Sequence, residues 1–188
     1  MAALSTEEVR VLHVDDDPDF VDLAGAHLER VDERFTITSA RSASEALDRL
    51  ADDPIDCVVS DYDMPGKNGI ELLKEVRADQ PDLPFILFTG KGSEEVASDA
   101  LSAGGTDYLQ KESTYDLYEI LGNRILNAVE QYRASERAAN LERIRSLLVD
   151  INQALVRASS REEIEAEVCE IISDADPYRF AWLGEVES

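Results

Sequence analysis

The chain has 188 residues, of which 44% are hydrophobic, so a disordered or collagen-like chain is excluded. Its 41 acidic and 18 basic side chains give a formal net charge of -23, and such a surface repels nucleic-acid phosphates, which argues against direct nucleic acid binding by this segment. No apolar run approaches the roughly 20 residues that cross a bilayer, and the N-terminus lacks a signal pattern, so we expect a cytoplasmic protein with no membrane partner.

Apolar, β-branched runs alternate with amphipathic stretches five times along the chain. Strands are predicted at 9–14, 35–39, 55–60, 84–89 and 106–110, and helices at 18–30, 42–51, 68–78 and 93–103, with a fifth helix beginning near Thr114. Ser42 with Glu45 predicts a capping box, and Ser93 predicts a further helix start. The alternation indicates an α/β fold with a doubly wound, five-stranded parallel sheet that helices cover on both faces.

Chemically capable side chains fall where these strands end. Asp15 and Asp16 follow the first strand, Asp61 follows the third, Thr89 ends the fourth and Lys111 follows the fifth. Because the carboxyl ends of parallel strands meet at one edge, we expect these side chains to converge. Clustered carboxylates repel one another unless a cation joins them, which predicts Mg²⁺ (or Mn²⁺), a hard ion that prefers oxygen. With Asp61 as nucleophile, Thr89 as donor and Lys111 as a second positive charge, the parts needed for acyl-phosphate formation are present.

Each candidate residue also has a structural interpretation when it is taken alone. The alternatives are a helix cap for Asp16 or Asp17, an Asx turn for Asp61, a strand end for Thr89, a surface position for Lys111 and core packing for Tyr108. Convergence of the whole set favours the functional interpretation. Structural or exposed positions are predicted for His13 and His27, and a core position for Cys57. Gly66 and Gly69 flank a turn and are predicted to serve backbone accommodation, that is, to allow a backbone conformation or close approach that a side chain would prevent.

Four segments, VLHVDDDPDF, VVSDYDMPGKNG, PFILFTG and DYLQK, resemble in order and spacing the motifs of the response-regulator receiver family of two-component systems. The resemblance covers residues 8–130, the predicted receiver domain, and implies the CheY-like (flavodoxin-like) strand order 2-1-3-4-5. It implies that Asp61 is the phosphoacceptor, that Thr89 and Lys111 sense the phosphate, that Thr89 and Tyr108 form the switch, and that the metal is bound by Asp15, Asp16, Asp61 and the backbone carbonyl of Asp63.

The resemblance also implies a function in a phosphorelay. A sensor histidine kinase would donate a phosphoryl group to Asp61, and the face formed by the fourth helix, fifth strand and fifth helix would shift toward a downstream protein or fused domain. Such a response regulator is not an enzyme, although it promotes its own phosphorylation and dephosphorylation. We predict that Asp63 and Lys91, which border the path of attacking water, tune the lifetime of the phosphate.

Two other functions stay open at this point. A haloacid-dehalogenase-type phosphatase would take its nucleophile from the segment that begins at Asp15, but that alternative leaves Asp61 unexplained. A receiver-shaped interaction module that takes no phosphate is the second alternative. Its usual sign is a missing acceptor, metal carboxylate or lysine, and each of these is present in the sequence.

From residue 131 onward the chain leaves the receiver pattern. The apolar residues Leu141, Ile144, Leu148, Ile151 and Leu155 follow 3-4-3-4 spacing. This spacing predicts that 131–158 is a linker helix and that the 114–158 helix forms a parallel two-stranded coiled coil, hence a homodimer. The alternative is an amphipathic helix packed on its own domain.

Residues 159–188 predict a helix at 161–174, capped by Ser160, and a strand at 178–187. The segments INQALVRASSREEIEAEVCEII and YRFAWLGEV resemble the opening of a GAF-type sensor domain, especially in haloarchaeal regulators. A GAF domain needs several more strands, so we expect a fragment of a longer protein in which Phe180 and Trp182 lack packing partners. The negative charge predicts a halophilic source, because molar salt screens self-repulsion; an ordinary acidic cytoplasmic protein is the alternative.

Overall fold

The computed structural model describes residues 7–90, 93–111, 116–158 and 160–174. Strands and helices alternate through five repeats, and two helices close the described chain. The elements are β1 (Val9–Val14), α1 (Pro18–Val31), β2 (Phe35–Ala40), α2 (Ala43–Asp52), β3 (Cys57–Ser60), α3 (Gly69–Asp79), β4 (Phe85–Thr89), α4 (Glu94–Ser102), β5 (Asp107–Gln110), α5 (Leu117–Arg157) and α6 (Arg161–Asp174).

The five strands form one parallel sheet in the order β2-β1-β3-β4-β5. β1 lies near the middle and pairs with both β2 and β3, with Val14 opposite Ala40 on one side and Ser60 on the other. Every pairing is parallel, so all strands present their carboxyl ends at the same edge. The predicted fold class and strand order are therefore confirmed.

Two hydrophobic cores cover the two faces of the sheet. Alternate residues of β1 point to opposite faces: Leu12 and Val14 join the core with α2, α3 and α4, whereas Val9 and Val11 join the core with α1 and α5. β3 and β4 are buried throughout, as expected for central strands covered on both faces. The backbone that carries the site residues is thus fixed by apolar packing from both sides.

Polar side chains cap several helices. The Ser42 hydroxyl accepts from the backbone N–H of Glu45, as predicted, but the Glu45 carboxylate accepts from the backbone N–H of Arg41, one residue before the cap. A reciprocal capping box occurs instead at α3, between Asn68 and Glu71. Ser93 caps α4 as predicted. The box at α3 starts that helix immediately beyond the loop that follows β3.

The chain divides into two compact units, Met1–Arg133 and Ala134–Ser188, and helix α5 is continuous through residue 133. In the part of α5 beyond that residue, most of the predicted seam is exposed, with Leu141 67%, Ile144 44%, Leu148 56% and Leu155 46% accessible. The predicted strand at 178–187, with Phe180 and Trp182, and the predicted helix start at Thr114 lie outside the described residues. Within the described part of the chain, no helix combines the length and apolar character needed to cross a bilayer.

Candidate functional site

Two buried carboxylates stand at the carboxyl-terminal edge of the sheet. Asp15 directly follows β1 and is 2% exposed, and Asp61 directly follows β3 and is 7% exposed. Their backbones continue the sheet, because the Asp15 N–H donates to the Ala40 carbonyl at 3.1 Å and the Asp61 N–H donates to the Val14 carbonyl at 2.8 Å. Both acids therefore start from rigid backbone positions.

Lys111 brings the two carboxylates together. Its Nζ donates to Asp15 Oδ2 at 2.5 Å and to Asp61 Oδ1 at 2.8 Å, across 96 and 50 residues of sequence. The lysine is anchored in turn by its backbone N–H, which donates to the Thr89 carbonyl at 2.8 Å. Two buried carboxylates in one place repel each other, and the ammonium between them offsets that repulsion.

The second oxygen of each carboxylate is held by the local backbone. Asp15 Oδ1 accepts from the Asp17 N–H at 2.9 Å, and Asp61 Oδ2 accepts from the Asp63 N–H at 2.6 Å. These i to i+2 bonds are those of Asx turns, so the structural interpretation of Asp61 is correct alongside its place in the cluster. Both carboxylates are consequently fixed in orientation as well as in position.

The other predicted site residues are placed less centrally. Asp16 and Asp63 are exposed, and Asp17 acts as the N-cap of α1 by accepting from the N–H groups of Asp19 and Phe20. Thr89 is fully buried at the end of β4. Lys91 lies outside the described residues. In residues 7–90, 93–111, 116–158 and 160–174, no group of three or more His, Cys, Asp or Glu side chains is gathered closely enough to hold a metal ion.

Tyr108 lies on β5, next to this edge. Its ring packs against the core on the α2, α3 and α4 face, and burial raises the pKa of its phenol. The hydroxyl is buried and has no hydrogen-bond partner within the described structure. Arg124 of α5 holds the strand beside it: Nη1 donates to both carboxylate oxygens of Asp107 at 2.7 Å and to the Tyr108 carbonyl at 3.2 Å.

An aromatic surface under Lys111 was not predicted from the sequence. Lys111 Nζ lies 4.0 Å from the ring centroid of Phe20 in α1 and 5.5 Å from that of Phe88 in β4. The apolar spacing of α1 predicts that Phe20 faces the sheet, but spacing alone does not show which residue of the loop after β5 lies above it. The contact places a charged group against two aromatic faces.

His13 is the second residue whose surroundings were not predicted. Its ring is fully buried on β1, and neither nitrogen has a partner among the residues described. Burial lowers the pKa of the imidazole to about 4. The sequence left a structural and an exposed position open; the structure shows the buried one. The alternation of side chains along β1 could have predicted the buried position, since residue 13 shares a face of the strand with Val9 and Val11.

Two glycines allow the loop after β3 to reach the site. Gly66 has φ +85°, a conformation that L side chains rarely adopt. A Cβ added at Gly69 would collide with the Asp61 carbonyl oxygen and would lie 2.7 Å from Leu87 Cδ1. The predicted backbone accommodation is therefore correct, and at Gly69 it concerns the backbone of Asp61 itself.

Comparison with known proteins agrees with this arrangement. Residues 11–121 match the family described as the response regulator receiver domain. The chain is similar to the response regulator SaeR of Staphylococcus aureus, with 34% identity over 122 residues, which are 65% of this chain and 52% of that protein. It thus spans about half the length of the curated relatives it matches.

Solved receiver structures show the same likeness over nearly their whole length. A response regulator receiver domain protein from Clostridium thermocellum is 26% identical, with a TM-score of 0.61 over 67% of this chain and 98% of that one. A CheY-like receiver domain protein from Methanospirillum hungatei is also 26% identical, with a TM-score of 0.62 over 69% and 99%. With the matched segment, the strand order and the paired carboxylates at one sheet edge, the chain belongs to the response-regulator receiver family.

Proposed function

We propose that this chain is a phosphorylation-controlled switch of a two-component phosphorelay, in which Asp61 accepts a phosphoryl group from a phosphohistidine of a sensor histidine kinase. The observation that supports this most strongly is the position of the Asp61 carboxylate: it is buried at a sheet edge, fixed by a backbone N–H on one oxygen and by Lys111 on the other. A capping or turn role alone would not require an ammonium from the end of another strand, 50 residues away in sequence.

The transfer itself needs little covalent chemistry from the protein. A carboxylate oxygen of Asp61 attacks the phosphorus, a P–O bond forms as the P–N bond breaks, and the leaving imidazole nitrogen keeps the bonding electrons and takes a proton. Lys111 lies where negative charge gathers on the transferred group, and the Asp63 N–H holds the remaining carboxylate oxygen. The protein thus contributes positioning and charge, as is usual for phosphoryl transfer.

The oxygen donors at this edge suit a hard divalent ion. Mg²⁺ (or Mn²⁺) would be held by the carboxylates of Asp15, Asp16 and Asp61 and by the backbone carbonyl of Asp63, and it would neutralise phosphoryl oxygens when bound. Asp15 is buried against Lys111, whereas Asp16 is exposed and has to turn inward to join such a set. We therefore propose that these carboxylates gather fully only around the ion.

Readout and lifetime belong to the same proposal. Thr89 and Tyr108 act as the switch pair, and the face of α4, β5 and α5 passes the change to a downstream protein or fused domain. Asp63 and Lys91 tune the loss of phosphate, and the chain promotes both its own phosphorylation and its dephosphorylation. Replacement of both residues by Ala tests the tuning role, and an unchanged lifetime would reject it.

Phosphate uptake is the decisive experiment. The purified chain is incubated with acetyl phosphate and Mg²⁺ in low and in molar KCl, and uptake is measured by intact mass. We expect one labile phosphoryl group on the wild type and none on Asp61→Asn, whereas Asp48→Asn, which makes the same charge change at an exposed position of α2, keeps it. An unlabelled wild type, or an equally labelled Asp61→Asn, contradicts the proposal and would favour an interaction module that takes no phosphate.

A homodimer through α5 is the second part of the proposal. The residues Leu141, Ile144, Leu148 and Leu155 repeat at heptad spacing and are exposed, which suits a second copy of the same helix. Sedimentation velocity tests it with Leu148→Glu, which should lower the dimer fraction. Arg143→Glu, which also introduces a glutamate but at an exposed position facing away from the seam, should change it little. A wild type that sediments as a monomer at all concentrations would reject the dimer.

A further inference from the structure

We propose that Phe20 is a positioning residue for Lys111: its ring, supported by Phe88, holds the ammonium by a cation–π contact while the anionic partners of that ammonium change. This inference rests on the proposed function, since it is during phosphoryl transfer to Asp61 that those partners change.

The geometry of the contact is within the range of cation–π interactions. Lys111 Nζ lies 4.0 Å from the centroid of Phe20 and 5.5 Å from that of Phe88, and both distances are inside the roughly 6 Å limit for such contacts. The two rings support each other, with centroids 5.8 Å apart and planes inclined by 43°. Only 15% of the Lys111 side chain is accessible, so water competes weakly for the ammonium.

The positions of the two rings are themselves fixed. Phe88 is fully buried in β4. Phe20 lies in the first turn of α1, where its backbone N–H donates to the capping carboxylate of Asp17 at 3.3 Å. The buried ring of His13 also lies next to Phe20, with centroids 6.1 Å apart. The surface under Lys111 therefore belongs to the rigid frame of β1, α1 and β4.

A fixed aromatic surface matters because the carboxylate partners of Lys111 do not stay constant. In the resting protein the ammonium contacts Asp15 and Asp61. Once Asp61 carries a phosphoryl group, the charge that the ammonium meets lies on different oxygens. The ring faces are uncharged and need no rearrangement, so they keep the long, flexible lysine side chain near the reacting group throughout.

An ordinary core role for Phe20 makes different predictions. Phe20 also packs against the core on the α1 and α5 face, so any truncation loses apolar contacts as well. A core role depends on the volume and apolarity of the side chain. A cation–π role depends on the electron density of the ring face, which fluorine withdraws while shape is nearly preserved.

The test places genetically encoded mono-, di- and trifluorophenylalanine at position 20 and measures the rate constant of phosphorylation by acetyl phosphate with Mg²⁺. We expect the rate to fall with each fluorine, about fivefold over the series, a size typical of a partly shielded cation–π contact. The matched control is the same series at Phe35, a buried ring in β2, which should leave the rate unchanged. Phe20→Tyr should keep the rate, and Phe20→Leu should lower it.

A second readout does not depend on phosphorylation. Lys111 is one of four lysines, so its side-chain methylene protons can be assigned by comparison with Lys111→Arg. We expect a ring-current shift to high field in the wild type that Phe20→Leu removes. If the wild type takes phosphate but the rate constant of phosphorylation does not change along the fluorine series, the inference is overturned and the proposed function stays intact. If the wild type takes no phosphate, the proposed function is rejected and the NMR shift alone tests the Phe20 contact. No high-field shift in the wild type overturns the contact. A shift that is present in the wild type and lost in Phe20→Leu supports it.

Discussion

Replacement of Asp56 tests how the opposite edge of the sheet is held. Asp56 precedes β3, is 7% exposed, and accepts from the backbone N–H and the Nε of Arg10, both at 2.9 Å. Arg133 of α5 adds an ion pair at 3.0 Å and donates to the Glu8 carbonyl at 2.6 Å. Burial alone would raise the pKa of Asp56, but the hydrogen bonds from the two arginines outweigh it and hold that pKa below the ordinary value.

The expected cost of Asp56→Asn follows from these contacts. Removing one partner of a fully buried charge cluster costs about 3–5 kcal/mol. Here 36% of the Arg10 side chain and 20% of the Arg133 side chain are accessible, so water solvates both guanidinium groups in part. We therefore expect a loss of about 2–3 kcal/mol in the free energy of unfolding at pH 7.

The loss should also depend on pH in a defined direction. The pKa of Asp56 is lower in the folded state than in the unfolded state, so its contribution is complete above the unfolded pKa. That contribution disappears as the pH falls through the folded pKa, because the carboxyl is then protonated in both states. The difference between wild type and Asp56→Asn should accordingly shrink in acid.

The assay is urea unfolding followed by circular dichroism, from pH 7 downward in steps to the acid limit of the folded state. Asp53→Asn is the matched control. It makes the same change of charge at the C-cap of α2, where 45% of the side chain is accessible and the ion pair with Arg49 is a 3.8 Å contact, so it should stay within about 0.5 kcal/mol of the wild type. The reasoning is refuted if the two variants are equally stable at pH 7, or if the difference for Asp56→Asn persists undiminished in acid.

Four further predictions concern the site and the surface charge. Gly69→Ala should lower the free energy of unfolding by about 2 kcal/mol or more and abolish phosphate uptake, because the new Cβ collides with the Asp61 backbone. Gly25→Ala is the control for both measurements, since the nearest atom to its new Cβ is 3.7 Å away. Asn68→Ala should cost about 1 kcal/mol in urea melts and leave uptake intact. Without Mg²⁺, the melting temperature of Lys111→Met should be lower than that of the wild type. Addition of Mg²⁺ should raise it more than it raises the wild-type value, since the ion replaces the missing ammonium; equal rises in melting temperature would contradict this. A halophilic origin predicts a higher urea midpoint in molar KCl than in low salt, and equal midpoints would reject it.

The fold was predictable because its signals are local. β1, β3 and β4 are short, apolar, β-branched runs, and the helices between them have apolar residues at helical spacing, so the parallel sheet follows from general rules. The carboxyl-edge rule then brought Asp15, Asp61 and Lys111 together from three distant segments. The order of the five strands came from the resemblance of the motifs, and the structure confirms it.

The details of the site were less predictable, because they depend on side-chain direction. No spacing rule shows that Lys111 lies across both Asp15 and Asp61, or that Phe20 lies under its ammonium. Asp16 was predicted with Asp15 as a metal carboxylate, yet the two neighbours differ completely in burial. The Asp15 N–H still donates to the Ala40 carbonyl of the sheet, whereas Asp16 follows in the exposed loop. The contact from Arg133 to Asp56 joins residues far apart in sequence, and no sequence motif predicts it.

The unpartnered hydroxyl of Tyr108 has an energetic consequence. A hydroxyl that is removed from water without a partner costs about 1–3 kcal/mol, and this one has no partner within the described structure although its ring packs against the core. Tyr108→Phe removes that cost and keeps the ring contacts. For the proposed switch, loss of the oxygen alone should therefore favour this placement of the ring without any phosphate.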